Sequence, residues 1–317
     1  MYHGLNILRG ISACFIVGNH ISLSPRTEVG SMVTSFCNLF VPVFGCISGF
    51  LLARSMQNAN GSLFDVVKRR FRRLFLPFAF WTVVYVVESF CFAILTHSQH
   101  KIERIYDMWY WLSVVFCGGA STHLWYLPSL FYSVVATVCL ARILPMVMKS
   151  FVALCLFSLM VIVVAVIFNG HHWATYDLRL FGFVLLGCAI YVVVEISVIP
   201  SNGCIGICIG MAAAYVAFKD VAPGFVLDWL MVCPLCIIAA NKRIRCIGFF
   251  EALFKCSMGI FFLHPMFTMI LTLGVIRFSS QPYNIIDVLF VWVGAIAISV
   301  PITIAMRKSR YLARFVQ

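Results

Sequence analysis

The sequence contains few charged residues for its length. Of 317 residues, 11% are charged and 62% are hydrophobic, whereas soluble domains carry about 25% charged residues. Acidic residues are scarcest, with 11 Asp and Glu against 23 Lys and Arg, and mean hydropathy is +1.00. This balance excludes a soluble globular enzyme, a disordered chain and a disulfide-stapled secreted domain.

Sequence motifs of several common enzyme classes are also absent. The chain has no phosphate-binding P-loop, no zinc-protease motif and no GxSxG nucleophile elbow. Its 14 cysteines lie scattered among aliphatic residues, where free cysteine behaves as a small hydrophobic side chain. Cys233 and Cys236 form a CPLC sequence without the soluble βαβ context of a redox motif. We therefore expect neither a metal site nor a permanently bound cofactor.

The long apolar runs predict an all-α, polytopic membrane protein with about ten transmembrane helices. The predicted segments are 5–24, 31–53, 74–96, 123–144, 150–168, 177–195, 203–218, 224–240, 255–276 and 284–306. An aromatic-rich stretch at 102–118 is expected to lie at the membrane interface. No long linker interrupts the pattern, so residues 1–317 are expected to form one membrane-embedded domain without an appended soluble domain.

The net charge of +12 on so apolar a chain needs an explanation. With both termini in the cytoplasm, sixteen of the 23 basic residues fall in cytoplasmic loops and six fall on the other side. This bias is the one that the positive-inside rule predicts for an even number of helices. The excess charge therefore orients the helices and does not indicate binding to nucleic acid.

Arg9 and His20 are ionisable groups within the first predicted helix. Eleven residues make about three turns, so both side chains are expected on one face, roughly 16 Å apart along the axis. Ionisable residues inside a span are costly and often functional. The pair suits an elongated anionic ligand, although a snorkelling arginine and a packing histidine remain an alternative.

The densest charge in the chain is the run KRRFRR at 68–73, in the predicted cytoplasmic stretch 54–73. Arg69, Arg72 and Arg73 have helical spacing, and guanidinium groups bind phosphate well. A patch that contacts anionic lipid headgroups would have the same composition. The sequence leaves both interpretations open.

Further polar residues lie inside or beside the predicted spans. Glu88 and His264 lie within spans, where each needs a polar partner or a functional role. His123 opens the fourth predicted span beside Trp125 and Tyr126, and an aromatic belt at the membrane interface explains it by itself. His171, His172, Asp177 and Arg179 are expected in an outer loop.

Five segments, in this order, resemble the acyltransferase family 3 membrane proteins, which modify bacterial surface glycans. The segments are LNILRGISACFIVGNH (5–20), VFGCISGFLLARS (43–55), RRFRRLFLPFAFW (69–81), HLWYLPSLF (123–131) and FFLHP (261–265). The resemblance implies that an acyl group, usually acetyl, passes from cytoplasmic acyl-CoA to a sugar hydroxyl on the outer side of a bacterial inner membrane. One departure is Asn6, where the family often has Asp three residues before the arginine.

Carried onto this sequence, the resemblance implies a catalytic role for His20 and a donor-binding role for Arg9. The acyl-CoA-facing loop would contain Arg69, Arg70, Arg72 and Arg73, and further candidate site residues are Ser48, Glu88, His123, Trp125 and His264. The alternative is a non-enzymatic glycan or lipid transporter, with the buried ionisable residues as pathway groups. The acceptor glycan, the type of acyl group and the choice between direct transfer and an acyl-enzyme relay stay open.

Overall fold

The computed structural model describes most of the chain. The described residues are 2–21, 33–34, 36–58, 62–95, 106–121, 123–167, 172–196, 206, 209–211, 213–214, 224–241, 244–245, 248–278 and 284–316, with the side chains of 95, 172–176, 196 and 225–226 left aside. Within these ranges the secondary structure is helical and contains no strand. The all-α prediction is confirmed.

Ten α-helices of nine residues or more form the described part of the protein. They are α1 (His3–Asn19), α2 (Phe40–Gln57), α3 (Leu63–Leu95), α4 (Met108–Phe116), α5 (Tyr126–Ile143), α6 (Phe151–Ile167), α7 (His172–Tyr191), α8 (Gly224–Ala239), α9 (Gly248–Phe278) and α10 (Ile285–Lys308). A π-helical turn, Val192–Ile196, continues α7, and a 3-10 turn, Leu312–Phe315, follows α10.

Six helical segments are long and apolar enough to cross a membrane. They are Phe36–Gln57, Leu63–Ile94, Tyr126–Ile143, Asp177–Glu195, Gly248–Phe278 and Ile285–Lys308, and the shorter Phe151–Ile167 and Leu227–Ala239 are also apolar. The protein is therefore a multi-pass membrane protein. The predicted helix at 203–218 lies largely outside the described residues, so the count of ten spans and the cytoplasmic termini stay predictions.

Some predicted boundaries were wrong in ways that affect the site. The segment 63–73 was placed in a loop, but α3 begins at Leu63 and carries the arginine run on its first turns. Asp177 and Arg179 lie on α7 and not in a loop; Asp177 accepts a hydrogen bond from Ser129, and Arg179 lies 3.6 Å from Asp228. Charged residues at the ends of long helices read as loop residues in a hydropathy profile, because hydropathy does not distinguish a helix end from a loop.

Close helix packing supports the site from two sides. The helix α1 packs along α9, and α2 packs along α7. A Cβ added at Gly49 would overlap the backbone at Val184, and one added at Gly187 would overlap Cys46, so these backbones touch directly. Gly45 and Gly49 form a GxxxG sequence, and this one marks a close helix contact. Gly206 and Gly210 have the same spacing, but no described atom lies within 4 Å of a Cβ added at either position.

Candidate functional site

Three histidines from three separate parts of the chain meet in the core. The ring centroids of His20 and His264 are 5.1 Å apart, those of His123 and His264 5.4 Å, and those of His20 and His123 6.3 Å. His123 and His264 are buried, whereas His20, the residue that follows α1, is half-buried. His20 is therefore the histidine of this cluster with the greatest access to a ligand.

The tautomer of His264 follows from its backbone contact. Its Nδ1 lies 3.0 Å from the Ile260 carbonyl oxygen, which can only accept a hydrogen bond. Nδ1 of the neutral ring therefore carries the proton, and Nε2 presents a lone pair. That Nε2 is buried and has no hydrogen-bond partner among the described residues. Because an unpaired buried acceptor is costly, this atom is a candidate for interaction with a ligand or with a neighbouring imidazole.

A tight turn carries His123 into the cluster. Gly118 has a φ of +72°, a conformation that side chains with a Cβ rarely adopt, and a Cβ there would overlap the backbone of Leu124 and Trp125. Ser121 then contacts Nδ1 of His123 at 3.0 Å, and Nε2 of His123 has no described partner. The aromatic-belt interpretation of His123 was wrong, because the turn directs this side chain inward although its sequence neighbours are interfacial in character.

The side chains of His20 and His123 line a mostly apolar cavity of about 60 Å³. Its other lining residues include Ile16, Asn19, Phe44, Trp125, Tyr126, Met258 and Phe261. An apolar lining with a few convergent polar groups is typical of small-molecule sites. We call it the histidine cavity.

Arg9 lies between the histidine cavity and a second, basic region. Its guanidinium carbon is 5.6 Å from the centroid of the Phe254 ring. The Tyr126 hydroxyl is close to both Arg9 and Ser48, and Arg9 is also within electrostatic reach of Arg70 and Arg73. Tyr126 lines the histidine cavity, so Arg9 and Ser48 approach that cavity through a shared neighbour.

The basic region is an open cavity of about 350 Å³ between the end of α2 and the start of α3. We call it the basic cavity; its lining residues are Leu51, Arg54, Ser55, Asn58, Arg69, Arg70 and Arg73. Three of the four arginines predicted to face the donor are thus brought together. Arg72 is exposed and is not part of this lining, because its position is roughly 110° around α3 from the centre of the other three.

The remaining candidates lie around the histidine cluster. Trp125 lines the histidine cavity. Glu88 is half-buried on α3, three residues after Tyr85, and acts electrostatically on that tyrosine. The Tyr85 ring packs edge-on against His123 at 4.9 Å, and its hydroxyl donates to the Phe262 carbonyl oxygen at 2.6 Å.

The residues that were not predicted as site residues include Tyr126 and Arg54, which line the cavities, and Tyr85, which packs against His123. Tyr85 and Tyr126 read as ordinary aromatic residues of an apolar helix, and Arg54 read as one of many basic residues that follow a span. The signal that finds Arg54 is its helical spacing from Leu51, Ser55 and Asn58. Among the described residues, no group of three or more His, Cys, Asp or Glu side chains has the geometry to hold a metal ion.

The described part of this membrane protein is a bundle of apolar helices that holds a histidine cluster near a set of arginines. The family model for the acyltransferase domain matches residues 2–308, and the chain belongs to that family. It is therefore a membrane acyltransferase. The comparison with curated proteins found no match, and the comparison with solved structures found none.

Proposed function

We propose that the protein transfers an acyl group, in the first instance acetyl, from acyl-CoA to a hydroxyl group of a cell-surface or lipid-linked glycan. The observation that carries this proposal is the position of Arg9, between a cavity lined by arginines and a cavity lined by histidines. Family membership supports the acyl transfer, and the two cavities suggest how one donor molecule reaches both.

The basic cavity suits the phosphate groups of CoA. Guanidinium groups bind phosphate through paired hydrogen bonds, and this cavity contains four arginines. From Arg9 to His20 the axial distance along α1 is about 16 Å, which is comparable to the length of a pantetheine arm. A donor whose phosphates lie in the basic cavity would thus present its thioester near His20.

His20 is proposed as the general base. It removes the proton from the acceptor hydroxyl while that oxygen attacks the thioester carbonyl carbon. The carbon–sulfur bond then breaks, and the protonated imidazole returns the proton to the leaving thiolate. The products are the acylated glycan and CoA with a free thiol. An alternative route passes the acyl group through a His20 nitrogen before it reaches the acceptor.

His264 is proposed to position His20 and to share its proton. The ring centroids of His20 and His264 are 5.1 Å apart, so a small rotation on substrate binding would let one His20 nitrogen donate a hydrogen bond to the free lone pair on Nε2 of His264. The other His20 nitrogen would then be free to act as a base. The close approach of the rings also disfavours two imidazolium charges at once, since like charges repel strongly in a buried site. The cluster is therefore suited to hold one proton beyond those of the neutral rings, and so a single positive charge, during turnover.

The location of the reaction follows from the proposed orientation. With the arginines at the cytoplasmic face of a bacterial inner membrane, the acyl-CoA enters from the cytoplasm and the acceptor from the outer side. Trp125 then lies in the cavity wall, where an aromatic ring suits contact with a sugar. Membrane lipids surround the helices, in keeping with the exposed apolar residues along α3 and α10.

The test uses His20→Ala in the full-length protein, with transfer of labelled acetyl from acetyl-CoA to surface glycan as the readout. We expect transfer to fall by about 10³-fold, because general acid–base catalysis contributes roughly 10² to 10⁴ in rate. His3→Ala, at the opposite end of the same helix, is the control and should retain activity. Normal membrane insertion together with unchanged acetyl transfer in His20→Ala would contradict the proposal.

A further inference from the structure

The basic cavity has two walls, and sequence analysis pointed to only one of them. Arg69, Arg70 and Arg73 lie on α3. The opposite wall is formed by Leu51, Arg54, Ser55 and Asn58, which have the i, i+3, i+4, i+7 spacing of a single helix face at the end of α2. None of the seven lining residues is acidic, so the cavity suits a ligand with several negative charges.

Arg54 is held in place by aromatic packing. Its guanidinium carbon lies 5.0 Å from the centroid of the Tyr2 ring, within the range of a cation–π contact. The Tyr2 ring is buried and packs edge-on against Phe50 at 4.9 Å. An arginine that rests on a fixed ring loses less side-chain entropy when it binds an anion.

A carboxyl group on the π-helical turn after α7 supports the same contact. The Tyr2 hydroxyl hydrogen-bonds Glu195, and both Arg54 and Glu195 lie within electrostatic reach of Tyr191. Tyr191 in turn donates to the Gln57 side chain on α2. These contacts connect the start of α1, the end of α2 and the end of α7 at the arginine that lines the basic cavity.

We propose that Arg54 is a phosphate ligand for the charged end of the acyl donor, and that Tyr2 positions it against the arginines of α3. This inference rests on the proposed function, which supplies the donor. Ser55 and Asn58 add neutral hydrogen-bond donors to the same wall. Two opposed arginine-bearing walls hold an anion from both sides, which one row of arginines on α3 cannot do.

If Arg54 had only a structural role at the end of its helix, its loss would act like the loss of any other basic residue at a helix end. Arg54 lies in the last turn of an 18-residue helix, where a basic residue interacts favourably with the helix dipole. Arg142 also lies in the last turn of an 18-residue helix, α5, but it does not line the basic cavity. Arg142→Gln is therefore a matched control that removes the same charge from the same kind of helix end.

The experiment measures the KM for acetyl-CoA and for S-acetyl-pantetheine, which lacks the nucleotide and its phosphates. We expect Arg54→Gln to raise the KM for acetyl-CoA about tenfold, the loss expected for one hydrogen-bonded charge. Its kcat at saturation and its kcat/KM for S-acetyl-pantetheine should stay unchanged. Arg142→Gln should change neither substrate's constants.

The positioning role of Tyr2 is tested by substituting it both alone and together with Arg54. Tyr2→Leu should raise the KM for acetyl-CoA about threefold in the wild-type background and should have no further effect in Arg54→Gln, because a positioning residue acts only through its partner. If Arg54→Gln does not fold, Arg54→Lys takes its place. We expect a raised KM there too, since lysine lacks the planar fork of donors.

The outcomes separate this inference from the proposed function. An unchanged KM for acetyl-CoA in Arg54→Gln, or an equal loss with both donors, would overturn the inference alone. A wild-type protein that does not use acetyl-CoA would overturn the proposed function and the inference with it. Nanodiscs of phosphatidylcholine, which carries no net charge, test a lipid headgroup as the ligand. The Arg54→Gln effect should persist there, and its disappearance would assign the basic cavity to anionic lipid.

Discussion

The basic cavity and the histidine cavity differ in their exposure to water and in the charge of their lining residues. The basic cavity is open and is lined by four arginines, two of them, Arg69 and Arg73, on exposed positions of α3. The histidine cavity is lined mainly by apolar and aromatic side chains, with buried imidazole nitrogens that have no described partner. The first arrangement suits recognition of a solvated anion, and the second suits proton transfer away from bulk water.

This difference separates binding from chemistry along a single helix. Tyr2 precedes α1 and contacts Arg54, Arg9 lies within α1, and His20 follows its last turn. Changes at the basic cavity should therefore act mainly on KM, whereas changes at the histidine cavity should act mainly on kcat. Changes at Arg9, which lies between the two cavities, should act on both constants.

The largest effect after that of His20 is expected at His264. His264→Asn keeps an amide near the position of Nδ1, and so keeps the contact with Ile260, but it removes Nε2. We expect kcat to fall about 100-fold with little change in the KM for acetyl-CoA, because the lost acceptor serves proton transfer and not donor binding. Initial rates of acetyl transfer over a range of acetyl-CoA concentrations measure both constants.

The matched variant is His264→Gln, which places an amide oxygen near the position of Nε2. It should recover part of the lost kcat, because an acceptor is again available to His20. Equal losses in the two variants, together with equal losses in thermal stability, would indicate that His264 only fills space in the core.

Arg9 is expected to give the next largest effect, and a mixed one. Arg9→Gln should lower kcat/KM for acetyl-CoA about 30-fold, divided between the two constants, because the charge lies near both the arginines of α3 and the Tyr126 hydroxyl. Arg9→Lys keeps a charge but not the fork of donors and should lose less. A change confined to KM would place Arg9 with the basic cavity, and one confined to kcat would place it with the histidines.

The sequence predicted much of this arrangement, but not how its parts meet. Hydropathy predicts the apolar helices because a long apolar run is typical of a membrane-spanning helix. Periodicity on one helix relates Arg9 to His20. The approach of His123 to His264 depends on the Gly118 turn and on the packing between helices, and neither leaves a periodic signal. The boundary of α3 was missed because charged residues can extend a transmembrane helix beyond its apolar part.

The smallest effect is expected at Tyr85, which tests most closely whether the two cavities act independently. Tyr85→Phe removes the hydrogen bond to the Phe262 carbonyl oxygen but keeps the ring that packs against His123. The free energy of unfolding should fall by about 1 kcal/mol, the usual net value of such a bond, and kcat by less than about threefold. Tyr85→Leu also removes the ring and should lower kcat further, because His123 then loses one wall of its packing.

Neither variant should alter the KM for acetyl-CoA, since Tyr85 does not line the basic cavity. Thermal unfolding and donor titration on the same detergent-solubilised samples measure both quantities. A raised KM in Tyr85→Phe would mean that the two cavities respond as one unit and that binding and chemistry are not separate along α1.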